Sequence, residues 1–560
     1  MGLDLGPGGP ARSSALNREP PRAAGRHARQ PVSARFSPVT LLVAVIPGVL
    51  ALVTGGYHVN VPPLWGDEGV TKEMAARSVG GLLATMPHDD VVHGAYYLVV
   101  HVVEAVAGSG SPTVLRSPSV FAMAVAAAFT ALIAHRLAGL AASPYPAITG
   151  LVAGVLFALL PAVIRYAQEA RSYAIVTMLA AITTYLLLKA ACEGGRWWLA
   201  YGTAAALTGL FNIFGLLLLV AHGVSILIAA RGRPGRPGLP GLDGLSGLSG
   251  RRAAGVPARW LFAAAAAVVV LIPIVAFAYT QRGALAWMTS PPPISGAAES
   301  LAGFWAGSLR LAWTVFGLAA FGVAADAAVY WRRRLPVTPG SVALPWLVLP
   351  PAVLLVASRV TPVYDGRYVE YCLPALAILV AWGLTWLARA AAAPLRREGL
   401  AWLGWLPAVA VMVPLVIALL PLGAKVRLPS SRPDNLAADS QIVAANARPG
   451  DIVFFIPISY RPIAVEYPAQ WRNIRDIAQA QSPVASNTLY GYDVTPAELV
   501  KRFTHVTRVW VYSAPNVSSY LLSPRATPVD REEAFLVSRM RVVRRWLDGD
   551  KMLTLYQVRR

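Results

Sequence analysis

Eleven long apolar runs alternate with short polar segments along this chain. They lie near 40–56, 115–137, 146–164, 172–191, 197–212, 214–230, 258–279, 311–331, 342–358, 370–388 and 401–422. Most approach the ~20 residues that an α-helix needs to cross a bilayer. Together they predict an α-helical polytopic membrane protein with about eleven transmembrane helices. A further candidate, His93–Gly108, is short and carries His93, His101 and Glu104. A charge at the bilayer centre costs at least ~2.5 kcal/mol on insertion scales, so this stretch predicts an amphipathic helix lying in the interface.

The pattern changes at both ends and once in the middle. Residues 1–38 hold six arginines, several prolines and glycines and no apolar period, which predicts a disordered basic tail. The run at about 40–56 has no small-residue cleavage site suited to that long leader, so it reads as a retained helix. Residues 232–250 carry Gly at every third position, a collagen-like period too short to have a structural meaning, and predict a linker within 231–257. The transmembrane region is expected over 39–422, with juxtamembrane helices in 57–114.

From 423 to 560 the pattern is that of a soluble α/β domain. Ala437–Asn446 reads as a helix and Ile452–Ile456 as a strand. Thr495-Pro496-Ala497-Glu498 opens a helix to about Phe503. Arg508–Tyr512 reads as a strand, Asp530–Leu547 as a helix and Met552–Val558 as a last strand. There is no phosphate-binding glycine motif.

Composition agrees with the membrane reading: 56% of the 560 residues are hydrophobic and 14% charged, with a mean hydropathy of +0.53. The net charge of +21 does not call for nucleic acid, because most arginines outside the last domain sit in short loops between apolar runs. If 93–108 does not span, every strongly basic short loop falls on the cytoplasmic side. The N-terminus is then cytoplasmic, and the stretches 57–114, 165–171, 280–310 and 359–369 share the outer side with the C-terminal domain. Cys192 and Cys372 fall on opposite sides, which argues against a disulfide, and no His/Cys cluster has zinc spacing.

Three of those outer stretches carry unusual polar groups. The first is Trp65-Gly66-Asp67-Glu68, just after the first apolar run. The second is Arg165-Tyr166-Ala167-Gln168-Glu169-Ala170-Arg171-Ser172-Tyr173. The third is Asp365-Gly366-Arg367-Tyr368. Each has a bland reading: helix capping for Asp67 and Glu68, ion pairing for Glu169, an interfacial aromatic belt for Trp65, Tyr96, Tyr97, Trp287 and Tyr364. Carboxylates and arginines at one membrane depth are costly unless paired or hydrated, and their coincidence on one face points to a site. His88, Asp89, Asp90 and His93 could hold a divalent metal, but without fixed spacing, so no metal ligand is assigned.

WGDE after the first helix, YAQEARSYA after the third spanning helix and GRY…LP before a late helix resemble the bacterial glycosyltransferase family 39 group. These are GT-C fold enzymes, similar to protein O-mannosyltransferases, lipid A aminoarabinose transferases and actinobacterial mannosyltransferases. The resemblance covers about residues 40–390, and YAQEARSYA is its most specific part. It implies a polyprenyl-phosphate sugar donor used on the extracytoplasmic face, and an envelope glycolipid, polysaccharide or protein acceptor. Where related sequences carry a His near Leu210–Gly215, this chain has Asn212.

Such a transfer needs a carboxylate to take the acceptor proton and cations to hold a phosphate leaving group. Asp67 is the candidate base, with Glu68 and Glu169 as further catalytic candidates. Arg165, Arg171 and Arg367 are candidates for the donor phosphate, and Trp65, Gln168, Tyr173 and Tyr368 for substrate contacts. One base and a direct displacement would invert the anomeric configuration. Mannose is the expected sugar by association with the resemblance. A transporter or flippase of lipid-linked sugars is the alternative, since intramembrane charges also mark transport routes. The polar groups gather at one face, however, and no internal repeat is evident.

Overall fold

The computed structural model describes residues 37–231, 251–285, 288, 303, 305–333 and 337–559. The tail at 1–36, the Gly-rich stretch at 232–250 and Trp287 lie outside the described residues. Among the described residues, nine helices are long and apolar enough to cross a membrane: Pro38–Gly56, Pro112–Leu140, Tyr173–Glu193, Ile213–Arg231, Gly255–Thr280, Leu309–Ala328, Pro339–Ala357, Gly366–Glu398 and Ala401–Lys425. A tenth run is broken, its halves Pro146–Leu159 and Pro161–Ala167 meeting at 62°. Pro161 causes the break. It lacks an N–H for the preceding turn, so one helix stops and another begins with the proline in its first turn. The eleventh run is the helix Arg196–Phe211, only 16 residues long. It ends at Asn212, which turns to extended backbone and accepts a hydrogen bond from the Phe214 N–H (3.0 Å). The eleven expected spans thus resolve into nine full helices, one bent pair and one short helix.

The stretch at 93–108 is a turn, Val91–His93, followed by the 14-residue helix Gly94–Ala107. Tyr96, Tyr97 and Val100 are buried while Val102 and Val106 are exposed, so the helix has an inner and an outer face. Cys192 and Cys372 are both free.

The C-terminal part contains seven strands: β1 (Asp451–Ile456), β2 (Ile474–Asp476), β3 (Gln479–Gln481), β4 (Tyr492–Asp493), β5 (Arg508–Ser513), β6 (Arg541–Asp548) and β7 (Lys551–Gln557). Five form one sheet in the order β2-β1-β5-β7-β6, with β1 parallel to β2 and β5, and β7 antiparallel to β5 and β6. Side chains alternate across it. Ile452, Phe454, Val509 and Val511 pack under Leu499, Leu536 and Val537 on one face. Val453, Phe455, Trp510 and Tyr512 pack under Leu436, Val443 and Trp471 on the other. The expected helix Asp530–Leu547 is corrected here. The helix is Pro528–Ser538, and Arg541–Asp548 is an edge strand. That strand is mostly exposed, so it shows no alternation, and the turn signal Asp548-Gly549-Asp550 marks its hairpin. Gly549 has φ +53°, and a Cβ there would overlap the Pro433 carbonyl.

The sheet unit is anchored to the short helix Gly66–Ala75 that follows the first span. Asp434 accepts from the Gly66 N–H (3.0 Å), capping that helix from outside its own chain segment, and is itself held by Lys551 (3.2 Å). Glu466 lies directly on Gly69, where any Cβ would overlap its carboxyl. Arg432 donates to the Gln168 carbonyl (2.7 Å) and Arg77 to the Thr488 carbonyl (2.7 Å). Burial and the neighbouring Arg165 push Arg432 down to about 9.

Beneath this helix lies a fully buried ion pair. Arg116, at the start of the span Pro112–Leu140, forks onto Glu68 through Nε–Oε1 (2.7 Å) and Nη2–Oε2 (2.6 Å). Its remaining protons go to the carbonyls of Val59, Pro62 and Pro63. Glu68 Oε1 also accepts the Ala170 N–H (2.8 Å). Burial alone would push the Glu68 carboxyl up; the Arg116 guanidinium more than offsets this and holds it below its ordinary range. Glu68, expected as a catalytic candidate, has no surface exposed and is engaged by Arg116 and the Ala170 N–H.

Two outcomes follow for stability. Removing one partner of such a pair leaves the other charge buried and unmatched, so Arg116→Met should cost about 3–5 kcal/mol. It should show as lost folded protein in membranes, with much of the loss recovered by adding Glu68→Leu. In the sheet domain, burial pushes Asp439 up to about 7, despite the hydrogen bond from Tyr512 Oη (2.6 Å). Its neutral form is favoured by folding. The stabilising contribution is complete below the ordinary carboxylate value near 3.8 and is lost as pH rises through about 7. The opening free energy of β5 read by hydrogen exchange should therefore fall between about pH 4 and pH 8, by up to roughly 4 kcal/mol. Asp439→Asn should flatten that dependence; an unchanged slope would rule the cause out.

Candidate active site

Gly66–Ala75 starts a helix because Trp65 is extended and Asp67 and Glu68 occupy its first turn, where carboxylates suit the helix dipole. Adjacent residues on a helix point about 100° apart. With Glu68 locked inward on Arg116, Asp67 is turned outward and keeps a third of its side chain exposed.

The other two expected stretches meet it there. Residues 168–172 link Pro161–Ala167 to the span Tyr173–Glu193, and Gly366–Cys372 is a 3-10 turn leading into the helix Leu373–Leu395. Arg367 Nη1 donates to Asp67 Oδ2 (2.8 Å), and Arg171 Nε stands 4.0 Å from the same oxygen. Asp365 fixes Arg367 from behind, accepting its backbone N–H (3.0 Å) and standing 3.4 Å from its Nε. The Arg367 guanidinium is 5.8 Å from the Trp65 ring centre, 5.9 Å from Tyr173 and 5.7 Å from Tyr368. The cation thus sits in an aromatic surround. Tyr368 in turn stacks on Phe214 at 5.1 Å, next to the buried cap Asn212. The Asp67, Arg171, Arg367, Trp65, Tyr173 and Tyr368 positions therefore converge.

The remaining expected residues sit around this group. Glu169 pairs with Arg165. Burial outweighs that pairing and raises the Glu169 carboxyl. Gln168 is buried, and its amide nitrogen donates to the carbonyls of Gly55 (2.9 Å) and Tyr57 (2.7 Å). It pins the first span to the 168–172 loop.

Sequence reasoning missed the support of Arg171. Its Nη1 reaches Tyr97 Oη (3.1 Å) and lies 3.9 Å from Asp90 Oδ2. Tyr97 Oη donates to Asp90, and His93 Nδ1 is 2.7 Å from Asp90 Oδ1, a contact that requires the proton on Nδ1. Although burial opposes it, His93 and Arg171 hold the Asp90 carboxyl down at about 2. Arg116 and Arg432 were missed too. An arginine at the edge of an apolar run is the signal that could have found Arg116. The acidic and histidine residues at 88–93 diverge. Asp89 accepts the Leu489 N–H (3.0 Å), while Asp90 serves Tyr97 and His93. No group of three His, Cys, Asp or Glu that could hold a metal occurs among the described residues.

Between the helices Leu309–Arg333, Pro339–Ala357 and Leu373–Leu395 runs an apolar cavity of about 830 Å³. Trp305, Trp313, Phe316, Leu347, Pro351 and Leu379 are among its lining. Leu379 is seven residues beyond Cys372, about two helical turns from the turn that carries Arg367.

No protein-family model matches the chain, and no curated protein matches it. Solved structures do. ArnT from Cupriavidus metallidurans in its apo state matches with a TM-score of 0.50 at 14% identity, over 92% of this chain and 97% of that one. The same protein bound to undecaprenyl phosphate matches with a TM-score of 0.50 at 15% identity over the same shares. The oligosaccharyltransferase AglB from Archaeoglobus fulgidus, in complex with an inhibitory peptide and a dolichol-phosphate, aligns with a TM-score of 0.46 at 13% identity, over 85% of this chain and 69% of that one. At these identities the likeness is one of architecture: the chain has the GT-C membrane fold, with a small sheet domain at its C-terminus.

Proposed function

We propose that this protein is a membrane glycosyltransferase that moves a sugar from a polyprenyl-phosphate donor to a hydroxyl of an envelope glycolipid, polysaccharide or protein. The observation that carries the reading is Asp67, one carboxylate facing two arginines, 2.8 Å from Arg367 and 4.0 Å from Arg171, and partly open to water. The structural neighbour captured with undecaprenyl phosphate supports the donor class. Mannose is the sugar expected from the resemblance, and the reacting face is the extracytoplasmic one expected from loop charge.

In this reading Arg171 and Arg367 hold the donor phosphate, whose anion suits two guanidinium forks. Arg367 then exchanges Asp67 for phosphate, and the freed carboxylate becomes available as a base. The acceptor oxygen attacks the anomeric carbon while its proton passes to Asp67. The bond from that carbon to the phosphate oxygen breaks, and the polyprenyl phosphate leaves with the electron pair. A single displacement inverts the configuration. Arg165 is spoken for by Glu169, so it shapes the field rather than gripping phosphate. The 830 Å³ apolar cavity suits the first isoprenes of the donor.

Membranes carrying wild-type protein, labelled polyprenyl-phosphate mannose and an envelope-lipid extract should move label from donor to a larger product. Asp67→Asn should lower that transfer about 10²–10⁴-fold with equal protein in the membrane. Transfer untouched by the substitution would remove Asp67 as the base. Arg367→Lys, which keeps charge but loses the fork, should raise the donor concentration needed for half-maximal rate by about tenfold, as expected for a loss of roughly 1.4 kcal/mol of binding.

A further inference from the structure

The loop that carries Asp90 is held by a residue from a distant part of the chain. Gln281 follows the span Gly255–Thr280 and continues its last turn, its N–H donating to the Phe277 carbonyl (3.1 Å). Its side-chain amide reaches across to residues 86–91. Oε1 accepts the Val91 N–H (2.9 Å), and Nε2 donates to the Met86 carbonyl (2.8 Å). One amide thus closes both ends of the loop, as a neighbouring strand would. The tip is held as well, because Asp89 accepts the Leu489 N–H of the sheet domain (3.0 Å). Met86 is packed on the helix that follows, where a Cβ at Gly94 would lie 2.8 Å from its Sδ.

The residue that needs this clamp is Asp90. Its backbone is left-handed, at φ +54° and ψ +38°, a conformation that Asp tolerates better than most residues but that no L-residue prefers. A free loop would relax toward right-handed values and carry the carboxyl elsewhere. With the Met86 carbonyl and the Val91 N–H fixed on either side, the carboxyl keeps its partners. His93 Nδ1 is 2.7 Å from Oδ1, Tyr97 Oη donates to Oδ2, and Arg171 Nη1 lies 3.9 Å from Oδ2. The same guanidinium stands 4.0 Å from Asp67 through its Nε. A glutamine that merely ended its helix would have no need of a donor and an acceptor from one and the same loop. This one uses both, and the residue next to Val91 is the acid that steadies Arg171.

We propose that Gln281 is a positioning residue for the donor phosphate: by clamping the 86–91 loop it holds Asp90, and through Asp90 the Arg171 guanidinium, in the orientation that binds. The phosphate role rests on the transferase reading above; the clamp itself does not.

The test uses full-length protein in lipid nanodiscs, with undecaprenyl phosphate as the probe, followed by phosphorus NMR. Gln281→Met fills a similar space without either side-chain hydrogen bond. It should weaken undecaprenyl-phosphate binding about fivefold, the equivalent of about 1 kcal/mol. In the transfer assay the donor KM should rise by about the same factor with kcat little changed, the mark of lost binding rather than lost chemistry. Nitrogen NMR supplies a readout that a merely structural glutamine would not move. In wild type His93 should carry its proton on Nδ1, the signal being assigned by its loss in His93→Gln. In Gln281→Met a population with the proton on Nε2 should appear. Gln281→Glu keeps an oxygen for the Val91 N–H and should recover half or more of the lost affinity. Gln281→Asn, polar but a methylene too short to bridge the loop, should match Gln281→Met and serves in its place should that variant not fold. An unchanged His93 tautomer overturns the clamp, and an unchanged affinity overturns its phosphate role, whatever the transfer assay shows. Gln281→Glu binding no better than Gln281→Met overturns the route through Val91. Wild type that binds undecaprenyl phosphate but transfers nothing sinks the transferase reading alone, while wild type that binds none overturns the phosphate role.

Discussion

A guanidinium and a carboxylate with no access to water, Arg116 and Glu68, govern the geometry of the face that carries Asp67. Taking both out of water is expensive, and their attraction offsets that only if every remaining proton and lone pair is also used. Here they are. The arginine serves three carbonyls of the 59–63 loop and the glutamate an amide of the 168–172 loop. Two chain segments far apart in sequence are thereby pinned to one span. The rigidity that results fixes the rotation of the helix Gly66–Ala75, and that rotation decides which of two adjacent acids reaches the cleft.

The same economy runs through the cleft. Arginines and acids at one depth repel or desolvate unless each is matched, and the match is made in two tiers. Asp67 and Asp365 face Arg367, while Asp90, Tyr97 and His93 steady Arg171. The outer tier is partly open to water. The inner tier is buried and holds the guanidinium in place.

The C-terminal domain takes part in this arrangement rather than merely covering it. Asp434 caps the Asp67 helix, Glu466 packs on Gly69 and Arg432 holds the carbonyl of Gln168.

Much of this was legible in one dimension. Hydropathy located every apolar helix because a bilayer sets a length and excludes charge, and alternation found most of the sheet because its two faces are buried. The three polar stretches stood out because charge at membrane depth needs a reason. What one dimension could not supply was pairing. Asp67 and Glu68 are neighbours with the same chemistry, and only the buried Arg116 separates their roles. Gln168 lies within the most distinctive motif, yet its amide nitrogen goes to backbone carbonyls. Arg541–Asp548 has no buried face to create a period, so it passed for helix. Pro161 broke one run and Asn212 ended another early, because a run of apolar residues records burial and not straightness. Sequence by itself determined which segments enter the membrane and which residue types gather outside it, since those follow from transfer free energies that each residue carries alone. The partner of each charge was decided only by the tertiary structure, because pairing depends on distances between segments up to several hundred residues apart.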